Sequence, residues 1–369
     1  MSEIRHLAQA DMPDVTHLFQ QIFRDHTTPP SAALTAYLQY LYIGFAGERT
    51  PASKVLTDDH GAICGFIGIH CFDYIYNGQT LKAAMVGSLM VENHEQQPMG
   101  GARLMRSLLD DDYDLILTET ASETTAAMWK KLNAVQLTGY SLDWLRIIRP
   151  LGFAVDTAAS KVRLFNLFKP LTNWVDGRKR LTMAGNSLRW SATPQNWPAA
   201  QALQCSAINA AEFAELYMQF SNSFSCRPQW DEQQLTARLK DAVQKPDYGD
   251  AHMVKLTTKT GKAVGLFLYH LQTGKTARVL ELLSHPKAAS QTIDALVHHA
   301  ACNGAVAIRG RTQPEMMEAM LGKRIAFTHL ASTMVWAKNP DMLQPFMHGQ
   351  AQLNGLAGEH WSRLTGNSF

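Results

Sequence analysis

The clearest chemical signal in the chain is a six-residue run between an apolar stretch and an amphipathic one, Gln97-Pro98-Met99-Gly100-Gly101-Ala102. The apolar stretch from Met85 to Val91 predicts a strand, and the amphipathic stretch from Ala102 to Leu109 predicts a helix. Glycines let a backbone approach a ligand closely, and the amides that open a helix have no partners within it. The loop is therefore predicted to bind an anion, with a pyrophosphate as the first candidate.

The spacing Gln-x-x-Gly-x-Ala resembles the Gln/Arg-x-x-Gly-x-Gly/Ala loop with which the GNAT superfamily of N-acyltransferases holds the pyrophosphate of acyl-coenzyme A. The resemblance extends over residues 3 to 148. It implies that a strand before the loop splays from its neighbour and that the pantetheine arm lies in the gap. The coenzyme-binding residues that the resemblance implies are Leu89, Met90, Val91, Gln97, Pro98, Met99, Gly100, Gly101, Ala102, Arg103, Ser122 and Trp129.

A second family motif, Ala-Ala-x-x-Leu-Tyr-x-x-x-Gly-Phe after an Asn, falls on the stretch from Thr125 to Leu132 in altered form. Trp129 stands where many members place a tyrosine whose hydroxyl protonates the departing thiolate, and an indole cannot do this. Ser122 stands where an Asn often contacts the coenzyme. Either the proton comes from Tyr140, a water molecule or bulk solvent, or the domain binds the coenzyme without transferring an acyl group.

An amine acceptor must lose its proton before it attacks a thioester, so a carboxylate or histidine is required near the gap. Glu92 follows the splayed strand and Glu119 follows the next one, which makes both catalytic candidates. His70 and His94 are further candidates. For each of them the alternative is an ordinary solvated or capping side chain.

The order helix, hairpins, loop, helix, strand, helix, strand is predicted in the first half, with a last strand from Val135 to Ile148, and it returns in the second half. We therefore predict an α/β (α+β) protein with two GNAT-like domains, each a mixed, mainly antiparallel twisted sheet flanked by helices. In the second half, the loop from Ser284 to Ala289 has no glycine, and Pro286 has no amide hydrogen. This domain is predicted to have lost the coenzyme, and either to complete the acceptor site or to stabilise the first half.

The predicted boundaries give a coenzyme-binding domain over 1–150, a basic connector over 151–195, a degenerate GNAT-like domain over 196–340 and an unassigned tail over 341–369. Between Thr157 and Trp190 the connector carries seven basic residues and one acid. It is interpreted either as a segment packed on its own domains with a solvated charged face, or as a contact for an anionic group.

Composition limits the other classes. The chain of 369 residues fits two domains of about 150 residues each. A net charge of +2 is far from the basic balance of a dedicated nucleic-acid binder, so no nucleic-acid partner is expected. No apolar run approaches the roughly 20 residues of a membrane span, and the N-terminus lacks a secretory signal, which predicts a cytoplasmic protein. The five cysteines form no Cys-x-x-Cys, so free thiols and no metal site are expected.

We predict an N-acyltransferase, in the first instance an N-acetyltransferase, that uses acetyl-coenzyme A or another acyl-coenzyme A. The acceptor is a small-molecule or peptide amine. Direct attack is favoured because no positioned Cys or Ser nucleophile suggests a covalent intermediate. Two alternatives are a non-catalytic coenzyme-binding sensor or scaffold, and a tandem-GNAT aminoacyl transferase that uses aminoacyl-tRNA, although the intact 97–102 loop argues against the latter.

Overall fold

The computed structural model describes residues 2–45, 52–92, 99–159 and 202–369. Its first helix begins where a Pro occupies the first turn and buries Val15, Leu18 and Phe19 on one face. The second begins at Ser31, whose side chain accepts a hydrogen bond from the amide of Leu34. The helices are α1 (Met12–Phe23), α2 (Ala32–Tyr42), α3 (Gly100–Ser107), α4 (Glu123–Lys131), α5 (Pro150–Ala159), α6 (Ala210–Ser221), α7 (Glu232–Ala242), α8 (Ala289–Cys302), α9 (Pro314–Met320) and α10 (Gln344–Met347).

Two mixed sheets are described. In each sheet, a single parallel pair of strands interrupts an otherwise antiparallel order. The first sheet runs β1-β2-β3-β4-β5-β15-β6, with β9 paired to β3, and the second runs β14-β7-β13-β12-β11-β10-β8. The strands are β1 (Ile4–His6), β2 (Lys54–Thr57), β3 (Ile63–Tyr76), β4 (Gln79–Val91), β5 (Leu115–Ala121), β6 (Val135–Gln136), β7 (Leu142–Ile147), β8 (Gln204–Ala207), β9 (Cys226–Pro228), β10 (Asp250–Thr257), β11 (Ala263–Leu271), β12 (Thr276–Ser284), β13 (Ala307–Arg311), β14 (Ala326–His329) and β15 (Ser332–Ala337). The predicted fold class is confirmed.

The two halves exchange a strand. β15, from the second half, lies between β5 and β6 of the first sheet. β7, from the first half, lies between β13 and β14 of the second sheet. The prediction of one strand from Val135 to Ile148 was therefore wrong, because a 3-10 turn over Thr138–Tyr140 divides it and sends its two parts to different sheets.

One large hydrophobic core joins the facing sides of both sheets. It contains Leu115 and Leu117 of β5, Leu266 and Leu268 of β11, and apolar residues of α1, α2, α6 and α7. A second core lies between the first sheet and the helices α3 and α4, and a third lies between the second sheet and the helices α8 and α9. The side of each sheet that faces the other half is thus buried against shared elements.

The C-terminal tail, which the sequence left unassigned, runs between the two sheets. Leu353, Leu356 and Trp361 are almost completely buried there. The side-chain amide of Asn354 donates hydrogen bonds to the carbonyl oxygens of Thr312 (2.5 Å) and Tyr140 (3.2 Å). The tail is therefore part of the folded core and contacts both halves.

The domain boundaries stay predictions. By sequence β7 and β15 each belong to one proposed domain, but each pairs within the sheet of the other half. Of the predicted connector over 151–195, only the residues up to 159 are described, and they continue α5. The basic residues from Lys161 to Arg189 lie outside the described part of the chain. None of the described helices has the length and apolar character needed to span a membrane.

Candidate active site

β4 and β5 separate to form a fork, which we call the first fork. Their parallel pairing begins at Ala83 with Leu115 and stops at Met85 with Leu117, although both strands continue. A bulge in β4 accompanies this separation, since Ser88 and Leu89 lie opposite the single residue Ile67 of β3. A bulge bends its strand, and Ser88 has a positive φ of 50° at this point. The bend directs Leu89, Met90 and Val91 away from β5.

The open end of the first fork leads to the N-terminus of α3. The amide of Arg103 donates to the carbonyl oxygen of Met99 at 2.9 Å, and Met99 provides no side-chain cap. The amides of Gly100, Gly101 and Ala102 therefore have no partner within the helix. A Cβ at Gly101 would lie no closer than 3.7 Å to its nearest neighbour, whereas one at Gly100 would lie 3.0 Å from Cγ1 of Val91. Gln97 and Pro98 lie outside the described residues.

A carboxylate from the tail occupies the closed end of the first fork. Oε1 of Glu359 accepts hydrogen bonds from Oγ1 of Thr118 (3.0 Å) and the amide of Glu119 (2.5 Å), and Oε2 accepts one from Oγ1 of Thr120 (2.7 Å). On the β4 side, a Cβ at Gly87 would lie 2.8 Å from Oε2 of Glu359. The carboxylate thus bridges the two strands. Burial raises the pKa of Glu359, against the effect of the hydrogen bond from Thr120.

Glu119 lies beside this carboxylate and is completely buried. Its Oε1 lies 3.0 Å from Nδ1 of His360 and 3.9 Å from Nε of Arg311, and its Oε2 accepts a hydrogen bond from the amide of Glu359 at 2.7 Å. Burial by itself would raise the pKa of Glu119, but the charges of His360 and Arg311 outweigh it and lower the pKa. Burial opposes protonation of His360, yet Glu119 outweighs it and raises the pKa of this histidine. The pair is therefore held in its charged form.

Comparison with known proteins identifies the fold. No protein-family model matches this chain, and no curated protein sequence matches it. A solved structure from Enterococcus faecalis V583, described as a conserved protein of unknown function and probable N-acyltransferase, matches with a TM-score of 0.59 and 11% identity over 91% of this chain and 73% of its own. GCN5-related N-acetyltransferases from Anabaena variabilis (0.57, 10%, 92% and 73%) and Kribbella flavida (0.55, 13%, 91% and 71%) match similarly. The chain has the GNAT fold. Its two halves fit a tandem GNAT arrangement, as the sequence predicted.

Several predicted site residues lie around the first fork of this GNAT fold, and their contacts do not test their predicted roles. Glu92 is exposed at the end of β4, where its amide donates to the carbonyl oxygen of Cys64 at 2.8 Å. Ser122 caps α4 by accepting a hydrogen bond from the amide of Thr125 at 3.2 Å. Arg103 donates to the hydroxyl (2.6 Å) and the carbonyl oxygen (2.9 Å) of Ser2. Their coenzyme or catalytic roles stay predictions.

The aromatic candidates are buried. Trp129 belongs to α4 and lies in the core between this helix and the first sheet, with 2% of its surface exposed. Tyr140 donates its hydroxyl to the carbonyl oxygen of Ala351 at 2.7 Å, and burial raises its pKa. His70 packs among Tyr42, Phe45 and Trp361, and His94 lies outside the described residues. A role for Tyr140 in protonating a thiolate therefore requires its hydroxyl to leave the Ala351 carbonyl.

The second half contains a similar fork, and the helix after it, α8, also begins without a side-chain cap. β12 and β13 pair from Thr276 with Ala307 to Val279 with Gly310, and β12 then continues to Ser284 paired only with β11. A 3-10 turn follows it, in which Nδ1 of His285 accepts a hydrogen bond from the amide of Lys287 at 3.3 Å. The tail enters this fork too, since the amide of Leu356 donates to Oε2 of Glu281 at 3.0 Å. That only the first half holds a coenzyme stays a prediction.

Sequence reasoning missed Glu359 and His360 as site residues. The tail shows neither helical nor strand periodicity and matches no motif, so no local signal marks a Glu-His pair there. The partners of Glu359 lie 239 to 241 residues earlier in the chain. Only the tertiary structure brings these groups together.

Proposed function

We propose that the chain is an acyl-coenzyme A dependent N-acyltransferase that acts at the first fork. The observation that carries this proposal is that a β-bulge, an open fork and an uncapped helix N-terminus follow one another along the chain within the GNAT fold. The fork offers unpaired backbone groups of β4, and the helix offers free amides for an anion. Both features suit a long ligand with a phosphate at one end.

The residues present fit acyl-coenzyme A in the following way. The amides of Gly100, Gly101 and Ala102, with Gln97, hold the pyrophosphate. The backbone from Leu89 to Val91 holds the pantetheine arm. When bound, acyl-coenzyme A would supply an activated thioester for attack by the amine.

The closed end supplies the proton acceptor. An amine must lose a proton as it forms its bond to the acyl carbon and the carbon–sulfur bond breaks. We assign the acceptance of that proton to Glu359, because a carboxylate whose pKa is raised is a stronger base than an ordinary one. Glu119, with its lowered pKa, is the weaker base and acts as a positioning residue through its contacts with Glu359 and His360.

Two earlier candidates keep a place in this scheme. Glu92 is the second candidate for the proton acceptor because it is exposed next to the open end of the fork. The thiolate takes its proton from Tyr140 or from water. The Glu359 carboxylate also favours one different function, a coenzyme-binding protein without turnover, because this carboxylate occupies the closed end of the fork. Release of free thiol in the presence of amines distinguishes the two functions.

The substitution Gly101→Glu is expected to weaken the binding of acetyl-coenzyme A at least tenfold. A carboxylate there repels the pyrophosphate and competes for the free amides of α3, and tenfold corresponds to about 1.4 kcal/mol. The fold should persist, since a Cβ at this position makes only ordinary contacts and a negative charge suits a helix N-terminus. Calorimetric titration gives the affinity, and thermal melting confirms the fold.

Lys287→Glu is the matched control, because it places the same side chain at the corresponding loop of the second half, where Lys287 is exposed. It should leave the affinity for acetyl-coenzyme A unchanged. Equal affinity of the Gly101→Glu variant and the unmodified protein would contradict the proposed phosphate site. Failure of both proteins to bind would reject the coenzyme.

A further inference from the structure

One face of the second sheet carries a row of basic side chains. His270 of β11 pairs with Arg278 of β12, and Arg278 pairs with Arg309 of β13. Arg311 follows two residues after Arg309 and so lies on the same face. The neighbouring residues Ala277 and Ile308 are buried in the core on the other side. The basic row therefore faces the first half of the molecule.

The arginines of this row differ in their hydrogen bonds and ion pairs. Arg311 is committed to the structure, since Nη2 donates to the carbonyl oxygens of Glu119 (2.7 Å) and Ala331 (2.9 Å), and Nη1 lies 3.2 Å from Oδ2 of Asp143. Nη2 of Arg309 lies 3.3 Å from Oδ1 of the same aspartate. Arg278 stacks its guanidinium 4.3 Å from the ring centre of Tyr248 and forms no ion pair with any described carboxylate.

The row lines a cavity of about 170 Å³ between the halves, whose opposite wall includes Glu119 and His360. Lys245 lies at its edge, but its ammonium group donates to the carbonyl oxygens of Ser362 and Thr365 (2.7 Å for the latter). A second cavity, of about 470 Å³, lies next to it, and the linings of the two share Asp143, Tyr248, Arg278 and Arg309. Arg278 and Arg309 thus stand where the cavities meet.

His270, which belongs to the lining of the small cavity, has a buried polar atom without a described partner. His270 has 1% of its surface exposed, and its Nε2 has no hydrogen-bond partner among the described residues. Burial lowers the pKa of His270 to about 4, so the imidazole is neutral at pH 7. A buried polar atom without a partner costs free energy unless a ligand or water satisfies it. His270 therefore contributes a neutral polar residue to the lining, and the positive charge of the cavity comes from the arginines.

We propose that the acceptor is an amine that also carries a carboxylate, held by Arg278 and Arg309 in this cavity. The proposal rests on the proposed function, because Glu119 forms the wall shared by the cavity and the first fork. Planar guanidinium groups suit a carboxylate, and two of them lie where the cavities meet. Asp143 pairs with Arg309, whereas Arg278 has no described carboxylate partner. A cavity of 150 Å³ holds a molecule as large as benzene. A space of about 170 Å³ therefore suits a ligand the size of an amino acid.

The test compares amines that differ only in the carboxylate. The probes are α- and ω-amino acids and their carboxamides, titrated into the full chain without coenzyme and followed by calorimetry. At least one amino acid should bind at least tenfold more tightly than its carboxamide. Arg278→Gln should reduce that preference at least fivefold, and Lys259→Gln, which removes an exposed positive charge at another turn of the second half, should not.

The outcomes separate this inference from the proposed function. Equal binding of acids and amides, or an unchanged preference in Arg278→Gln, overturns the carboxylate site. Thiol release from acetyl-coenzyme A that occurs equally with acids and amides overturns it as well and leaves the transferase standing. Selective binding of the acid without any thiol release keeps the site and rejects the transferase. Arg278 is exposed, so its replacement should leave the melting temperature unchanged, which thermal denaturation checks.

Discussion

Replacement of Glu359 by glutamine is expected to lower kcat/KM for acyl transfer by about 10² to 10⁴-fold, the usual contribution of a positioned general base. Glutamine keeps the shape of the side chain, and its amide oxygen can still accept the hydrogen bonds from Thr118 and the amide of Glu119 while its amide nitrogen faces the Thr120 hydroxyl, but it cannot accept a proton. The affinity for acetyl-coenzyme A should therefore change little. Initial rates of thiol release, measured at saturating coenzyme against varied amine, give the effect.

The pH dependence identifies the group. A base must be deprotonated to act, so a raised pKa for Glu359 means that the rate falls as the pH drops through a value above that of an ordinary glutamate. The glutamine variant should lose this limb of the profile. Glu92→Gln is the matched comparison, because Glu92 is the other carboxylate candidate and is exposed.

Each alternative result has a clear meaning. If Glu92→Gln shows the loss and Glu359→Gln retains the rate and profile, Glu92 is the base and our assignment is wrong. If the unmodified protein shows no transfer and Glu359→Gln binds acetyl-coenzyme A more tightly, the carboxylate only occupies the fork, and the coenzyme-binding protein without turnover is supported.

The substitution Trp361→Ala is expected to lower the free energy of unfolding by about 3 to 5 kcal/mol, the usual cost of removing a buried aromatic ring. Trp361 has 1% of its surface exposed. Its ring centre lies 4.9 Å from that of Phe45 and 5.2 Å from that of His70, and the guanidinium carbon of Arg238 lies 5.1 Å from it. Trp361 directly follows His360 in the chain, so the cavity left by its ring lies next to the Glu119–His360 ion pair. Urea denaturation followed by circular dichroism measures the loss.

Phe23→Ala provides the comparison, because Phe23 is also aromatic but has 48% of its surface exposed. It should lower the free energy of unfolding by less than about 1 kcal/mol. Two variants of equal stability would show that the tail is not an integral part of the core. A reduced transfer rate in Trp361→Ala at temperatures well below its melting point would link the packing of the tail to the position of Glu359.

Local signals predicted the parts of the site that lie close together in the chain. The two glycines at positions 100 and 101 follow an apolar strand and precede an amphipathic segment, and the structure places α3 there. The lack of a phosphate loop in the second half was visible as well, since Pro286 cannot donate an amide hydrogen. Each of these features depends on a few neighbouring residues.

The remaining features depend on contacts between distant segments. β6 and β7 lie in one stretch of strand-like sequence, and their assignment to different sheets is decided by β15 and β13, which periodicity does not detect. Gly358 illustrates the same limit. A Cβ there would lie 2.0 Å from Oε2 of Glu119, so this glycine is required by a partner far away in sequence.

The exchange of β7 and β15 determines when the site can form during synthesis. β5 ends at Ala121, but its neighbour β15 begins only at Ser332. A ribosome that adds about 5 to 20 residues per second therefore leaves one edge of β5 unpaired for roughly 10 to 40 s before β15 emerges. Any product that terminates before Ser332 lacks both the neighbour of β5 and the carboxylate of Glu359. The first fork is thus completed only after the segment that carries β15 and Glu359 has been synthesised.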